Sequence, residues 1–211
     1  MDTWTVVDAN RGDLADLADS LDAQQWDAPS LCTEWRVRDV VAHMTEGATM
    51  TTGEAIKAVA KSGFRINKMI TDGAIEGGAA PTADLATALR GTVGSRVKPP
   101  GIKPEGILCD AVVHGQDIRR ALGIAGQPSP DALRISLDYL TKSRSSLLPG
   151  KKRLRGLHLR ATDLDWSTGD AGNPEVTGPA EAIAMALAGR PAALADLTGP
   201  GADTLRTRLA G

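Results

Sequence analysis

The pattern of apolar residues predicts that the first 149 residues of this chain are helical. Apolar side chains recur three or four positions apart from Asp2 or Thr3 to about Asp22, and again from Glu34 onward, as they do on one face of an α-helix. The second of these helices is expected to bury one stripe of residues: Val37, Val40, Val41 and Met44. A loop over residues 24–33 is expected to separate the two helices.

Further helices are predicted between residue 51 and residue 149. The segment 51–78 has helical spacing but is interrupted by glycines at positions 53, 63 and 73. A short helix begins at Pro81, and a proline-rich loop covers residues 99–104. The next helix covers residues 107–122 and ends at Gly123, and another begins at Ser129 and carries leucines at positions 133, 137, 140 and 147.

Residues 150–211 follow a different pattern. Three apolar residues at positions 157, 159 and 161 alternate with His158 and Arg160, which is typical of a β-strand. A second strand is predicted through Trp166 and a third over residues 175–177, followed by helices over 179–189 and 202–209. The predicted fold class is therefore α+β, with a helical domain of residues 1–149 and a small α+β domain of residues 150–211.

Composition and charge exclude several classes of function. The net charge is -2 and aromatic residues make up 3% of the chain, so neither a basic surface nor a stacking surface for nucleic acid is expected. There is no signal-peptide pattern and no run of about 20 apolar residues, so we expect a cytoplasmic protein that does not enter a membrane. The two cysteines have no CxxC spacing, and Cys109 is interpreted as a packing residue.

Three side chains are candidates for a metal site. Asp110 and His114 are four residues apart in the helix of residues 107–122, so they project from one face about 5–6 Å apart at Cβ. His43 lies at the edge of the apolar stripe of its own helix, and the two helices can be neighbours in a bundle. Two histidines and a carboxylate with one open position are typical of a catalytic metal site. Alternatively, each histidine is a partly buried residue that is hydrogen-bonded to the backbone.

Two further groups have alternative interpretations. Asp117 either accepts a proton from the second nitrogen of a metal-binding histidine, or forms an ion pair with Arg119 or Arg120. The basic residues between positions 151 and 155 form either a charged linker or an anion site. The donor set does not distinguish zinc from nickel, iron or manganese.

Two segments resemble the signature of a known family. The segments Trp35–Met44 and Asp110–Ile118 are similar to the two ligand motifs of the mycothiol-dependent maleylpyruvate isomerase family of the DinB-like superfamily, and Val176–Ala180 and Leu187–Arg190 are similar to its C-terminal part. The resemblance implies an N-terminal DinB-like four-helix bundle. It also implies a divalent metal, usually zinc, bound by His43, Asp110 and His114.

The resemblance also suggests a catalytic arginine, and the sequence departs from the family pattern at two positions. Arg190 corresponds to an arginine of the C-terminal domain that assists catalysis; otherwise it is an exposed cation at the end of a helix. Asp110 replaces the usual glutamate, so the cation must lie closer to this helix or accept a water in place of the carboxylate. Glu34 replaces the usual glycine, which is expected to change how the chain enters the next helix.

The resemblance leads to one main functional hypothesis and two alternatives. The main hypothesis is an isomerase or thiol S-transferase that depends on a metal and on mycothiol and acts on a small electrophilic molecule through a metal-bound thiolate. Arg190 or the basic segment would hold a carboxylate of the substrate. The alternatives are a non-catalytic protein that binds a metal, a small ligand or a thiol adduct, and a metal-dependent hydrolase.

Overall fold

The predicted helical part of the chain forms helices whose apolar stripes pack on one another. A computed structural model describes residues 2–63, 65–143 and 150–210. The helices of the first part are α1 (Thr3–Ser20), α2 (Ala23–Asp27), α3 (Val37–Thr49), α4 (Thr52–Lys61), α5 (Ile66–Gly77), α6 (Thr82–Arg90) and α7 (Pro104–Leu122). Together they make up a compact unit of residues 1–126.

The core of this unit lies between α1, α3, α6 and α7. Helix α1 packs on α6 and α7, and α3 packs on α5, α6 and α7. The predicted stripe of α3 is confirmed, since all four of its members are buried. The core residues around it include Leu14, Leu17, Trp26, Trp35, Leu85, Leu89 and Ile118. Burial of these apolar stripes is the main force that holds the helices together.

The ends of α7 follow the predicted sequence signals. Pro104 is the first residue of the helix, where its missing N–H costs no hydrogen bond. Gly123 follows the last residue in the left-handed conformation, with φ 64°, and its N–H satisfies carbonyls of the last turn. The predicted helix end at Gly123 is therefore confirmed, and α7 begins three residues earlier than the apolar pattern alone indicated.

Two details of the predicted helices were wrong. The predicted loop of residues 24–33 contains most of α2, because Asp22 and Gln25 form a reciprocal capping box in which each side chain accepts a hydrogen bond from the other residue's N–H. Of the three glycines expected to interrupt residues 51–78, only Gly63 lies between helices; Gly53 is in α4 and Gly73 is in α5. A β-carbon at Gly73 would lie 3.0 Å from Oε2 of Glu46, so this glycine allows close helix packing. Phe64, one of the apolar positions of the predicted helical segment 51–78, lies outside the described residues.

Residues 127–211 form a second compact unit. Its elements are α8 (Pro130–Lys142), α9 (Gly150–Leu154), β1 (His158–Ala161), β2 (Ser167–Thr168), β3 (Glu175–Gly178), α10 (Ala180–Ala188), a 3-10 helix (Pro191–Asp196) and α11 (Ala202–Ala210). The three strands form a sheet in the order β2–β1–β3, antiparallel between β1 and β2 and parallel between β1 and β3. Strands are thus present at the first and third predicted positions, whereas the second begins after Trp166 rather than passing through it. The chain is mainly helical with one small sheet.

Helix α8 belongs to the second unit by its contacts. It packs on α9 and on α10, and its leucines at positions 133, 137 and 140 are buried there. The boundary between the compact units therefore follows residue 126, whereas the predicted domain boundary follows residue 149. The division into domains 1–149 and 150–211 stays a prediction. Leu147 lies outside the described residues.

The part of the chain that the structure describes contains no helix that is both long and apolar enough to cross a membrane.

The backbone of Glu34, at the entry to α3, is strained. Glu34 has φ 77°, in the left-handed region that disfavours a residue with a β-carbon. We expect Glu34→Gly to raise the free energy of unfolding by about 0.5–1 kcal/mol, since relief of the strain exceeds the added entropy of the unfolded chain. Urea unfolding followed by circular dichroism measures this change. Glu34→Ala is the control, because it removes the carboxylate but keeps the β-carbon; an equal gain in both variants would contradict the explanation.

Candidate metal centre

Helices α3 and α7 bring the three predicted ligands together. Nε2 of His43 lies 3.5 Å from Oδ2 of Asp110, and Nε2 of His114 lies 3.6 Å from Oδ1 of the same carboxylate. One donor atom from each of the three residues lies within 4.8 Å of the others. The side chain of Asp110 is 45% exposed, whereas those of His43 and His114 are 16% and 9% exposed. The cluster is therefore buried on its histidine side and open to solvent beside Asp110.

The position of His43 depends on a rigid start of α3. The carboxylate of Asp39, which is almost completely buried, accepts hydrogen bonds from the backbone N–H of Arg36 at 2.9 Å and from its Nε and Nη2 at 3.0 and 2.9 Å. These charge-assisted bonds hold the first turn of α3, and His43 lies about one turn further along the helix. The hydrogen bond raises the pKa of Arg36.

Trp35 packs against both histidines. Its ring centroid lies 5.0 Å from that of His43 and 5.6 Å from that of His114, and the two imidazoles meet edge to face at 4.9 Å. Within the described residues, the buried indole Nε1 of Trp35 has no hydrogen-bond partner. Trp35 is part of the family signature, but the sequence predicts no role for it, because a single aromatic residue before a helix gives no indication of what it will contact.

Asp117 contacts the second nitrogen of His114. Oδ2 of Asp117 lies 3.0 Å from Nδ1 of His114, and Asp117 is completely buried. Arg119, which was an alternative partner for Asp117, instead donates to Asp13 at 2.7 Å. The carboxylate thus engages Nδ1 of His114 and leaves Nε2 for the side of the ring that faces Asp110.

The charges around His43 favour its protonated form. Burial alone lowers the pKa of His43, but the hydrogen bond and charge of Asp110, together with the charge of Glu46, act in the opposite direction, and the net pKa lies above the usual value. Burial also raises the pKa of Glu46, and the charge of His43 partly opposes this rise. A concentration of negative charge that stabilises an imidazolium also stabilises a metal cation at the same place.

Cys32 lies close to His114 and Asp117. Its sulfur and donor atoms of His114 and Asp117 all lie within 4.8 Å of one another. The sequence does not predict this cluster, because Cys32 is in a loop where no periodicity relates it to α7. Cys109, in contrast, is fully buried in α7, as its interpretation as a packing residue requires.

Arg190 lies in the second unit, just before the 3-10 helix. Its Nη1 donates to the carbonyl of Ala188 at 2.9 Å, and Nη1 of Arg153 donates to the carbonyl of Leu187 at 2.8 Å. Burial and the charge of Arg190 lower the pKa of Arg153. Arg153 is thus a partly buried residue of α9 that binds the end of α10, whereas the sequence allowed it to be part of a solvated linker.

The donor atoms of the cluster fit a divalent cation. Imidazole nitrogens and a carboxylate oxygen are ligands that zinc and similar metals accept at about 2.0–2.2 Å, and the observed separations allow one ion to reach all three with small side-chain movements. Asp110 spans both histidines although it is shorter than glutamate.

Comparison with known proteins supports the same family as the motifs. Residues 7–106 match the sequence profile of the mycothiol maleylpyruvate isomerase N-terminal domain. A search of curated protein sequences finds no match. The fold is similar to the crystal structure of a histidine-to-alanine mutant of the mycothiol-dependent maleylpyruvate isomerase, with a TM-score of 0.63 and 13% identity over 93% of this chain and 91% of that chain. A second crystal structure of the mycothiol-dependent maleylpyruvate isomerase matches with a TM-score of 0.57 and 13% identity over the same shares.

These matches show the fold of the chain and the family that its N-terminal part resembles. The chain has the fold of the mycothiol-dependent maleylpyruvate isomerase, which is an enzyme, over most of the length of both chains. Residues 7–106, just under half of the chain, match the profile of the mycothiol maleylpyruvate isomerase N-terminal domain, so the predicted resemblance is confirmed.

Proposed function

We propose that this protein is a metal-dependent enzyme that uses mycothiol to isomerise a small electrophilic molecule or to transfer the thiol onto it. The observation that carries the proposal is the convergence of His43, Asp110 and His114, whose donor atoms lie within 4.8 Å of one another. The match of residues 7–106 to the isomerase domain family supports the use of a low-molecular-weight thiol.

The proposed ligands of the cation are Nε2 of His43, a carboxylate oxygen of Asp110 and Nε2 of His114, and zinc is the metal that we favour. A divalent cation bound there lowers the pKa of a coordinated thiol and so supplies a thiolate at neutral pH. Asp117 holds the proton of Nδ1 of His114 and thereby orients the ring. Trp35 covers the two imidazoles and excludes water from that side. The exposed edge at Asp110 is where the thiol and the electrophile would enter.

We propose Arg190 as the catalytic arginine that binds a carboxylate of the substrate. Its planar guanidinium is suited to bidentate binding of such a group. The support is the similarity of the Leu187–Arg190 segment to the C-terminal part of the family. A rise in KM for a carboxylate-bearing electrophile in Arg190→Gln, with an unchanged KM for an uncharged electrophile, is the result that this role requires.

The finer fold assignment is also a proposal. We propose that α1, α3, α6 and α7 are the four helices of a DinB-like bundle, because α1 and α3 each pack on both α6 and α7. We propose the cytoplasm as the location, since low-molecular-weight thiols are kept reduced there.

Metal content tests the proposed ligands. We expect the purified protein to retain about one zinc ion per chain and His43→Ala to lose most of it, because two remaining ligands bind zinc much more weakly. His158→Ala is the matched control: His158 lies on β1 in the second unit, 3.7 Å from Glu175, and outside the cluster. Elemental analysis after dialysis measures the metal, and equal, negligible zinc in all three proteins would contradict the proposal.

Turnover separates the proposed enzyme from its alternatives. Purified protein is incubated with mycothiol and a panel of electrophiles that includes maleylpyruvate, and products are followed by mass spectrometry. Isomerised product or a thiol adduct that requires both zinc and the thiol supports the proposal. Saturable binding without product indicates a binding protein, and thiol-independent cleavage indicates a metal-dependent hydrolase.

A further inference from the structure

We propose that Cys32, His114 and Asp117 form a second cation site, selective for thiophilic metals, that shares the His114 imidazole with the first site and competes with it. The three residues offer one sulfur, one nitrogen and one oxygen donor, all within 4.8 Å of one another. No residue other than His114 belongs to both clusters of donor atoms found among the described residues.

The separation of two of the donor atoms is close to that of two ligands on one metal ion. Nδ1 of His114 and Oδ2 of Asp117 lie 3.0 Å apart. Two nitrogen or oxygen ligands of a tetrahedral zinc ion lie about 3.3 Å apart, given metal–ligand bonds of about 2.0–2.1 Å. A cation can therefore replace the proton between these atoms after a shift of a few tenths of an ångström.

The third donor determines which cations the site selects. A thiolate is a soft ligand that favours cadmium and similar soft ions over magnesium and calcium. With a single thiolate, the site is expected to bind zinc too weakly to retain it through dialysis. Cys32 is partly exposed, so an ion has access from solvent, whereas Asp117 supplies a carboxylate that is fully buried. The thiolate and the carboxylate together neutralise a divalent cation, which removes the cost of burying its charge.

Proton balance makes the two sites competitive. Binding at the second site releases the thiol proton of Cys32 to solvent and requires the lone pair of Nδ1 of His114. In one case the proton of Nδ1 moves to Nε2, and Nε2 can then no longer bind the cation of the first site. In the other case that cation stays on Nε2, and the imidazole must then lose its last proton to bind a second cation through Nδ1. Each cation therefore weakens the other, and this coupling is equal in both directions. The cation site does not depend on the proposed function, but inhibition of catalysis by the second cation does.

Cadmium titration of the full-length protein tests the second site. The protein is kept reduced with a phosphine, and the ultraviolet charge-transfer absorption of a cadmium–thiolate bond is recorded. We expect saturation at one thiolate per chain, loss of the absorption in Cys32→Ser, and an unchanged titration in Cys109→Ser, which removes the other, fully buried cysteine. An absorption that persists in Cys32→Ser, or that is missing from the unmodified protein in excess cadmium, would overturn the proposal.

A second variant tests the competition and separates the two proposals. His43→Ala weakens the first site, so we expect cadmium to bind beside Cys32 about tenfold more tightly in this variant than in the unmodified zinc-loaded protein. Unchanged or weaker affinity would overturn the shared role of His114. If the first site fails, the Cys32-dependent absorption still forms; if the second site fails, zinc that depends on His43 is retained and no thiolate absorption develops.

Discussion

Gly78→Ala is expected to lower the free energy of unfolding by about 3 kcal/mol, the upper part of the range for overpacking a buried site. A β-carbon at Gly78 would lie 2.1 Å from Oδ1 and 3.0 Å from Cα of Asp39. Asp39 cannot move away without breaking its hydrogen bonds to Arg36, which hold the first turn of α3. The clash therefore strains the start of the helix that carries His43.

Gly12→Ala is the control for this prediction. Gly12 lies inside α1, and no heavy atom lies within 4 Å of the position of an added β-carbon. Alanine there is expected to raise the free energy of unfolding by about 0.5–1 kcal/mol, because glycine is costly in a helix interior. Urea unfolding of both variants measures the difference. Unfolding of Gly78→Ala at the same urea concentration as the unmodified protein would show that Asp39 can move without cost.

Asp117→Asn is expected to weaken zinc binding at the first site by about 10- to 100-fold, as loss of an outer carboxylate partner of a metal-binding histidine does. Oδ2 of the fully buried Asp117 carboxylate lies 3.0 Å from Nδ1 of His114, which is a hydrogen-bonding distance. An amide in its place carries no charge, so it makes the imidazole a weaker donor to the metal. Competition with a chromophoric chelator measures the affinity.

Asp13→Asn is the matched control, because Asp13 is an acidic residue of the same unit that pairs with Arg119 rather than with a histidine. The zinc affinity of Asp13→Asn is expected to equal that of the unmodified protein. The unfolding transition of each variant, measured without zinc, shows whether a loss of affinity follows from a loss of structure. Equal zinc affinity in Asp117→Asn and Asp13→Asn, with both variants folded, would exclude the role assigned to Asp117.

Much of the site was predictable because two of its elements are regular helices. A spacing of four residues places Asp110 and His114 on one face of α7 in any environment that keeps the helix intact. The apolar stripe of α3 also predicts which side of that helix faces the core, and His43 lies beside the stripe. These inferences need only the geometry of a single helix.

Other features depend on contacts between residues that are far apart in the sequence. Trp35 and Cys32 precede α3, yet Trp35 packs against His114 of α7 and Cys32 lies close to it. Gly73 was predicted to interrupt a helix, but it is a close-packing position against Glu46 of α3. Helix α8 has the same apolar spacing as the helices of the first unit, and only its packing on α10 assigns it to the second. Local spacing contains no information on which partner a buried face will meet.

The sequence by itself determined the order and type of most secondary-structure elements, the pairing of Asp110 with His114, and the family resemblance, because helix periodicity and short motifs are local properties of the chain. The tertiary structure decided that His43 reaches this pair, that Asp117 contacts His114 and not Arg119, and that Cys32 lies close to the same imidazole. Those distances follow from the way α3 and the loop before it pack on α7. Such packing is the result of burying apolar surface from the whole unit at once.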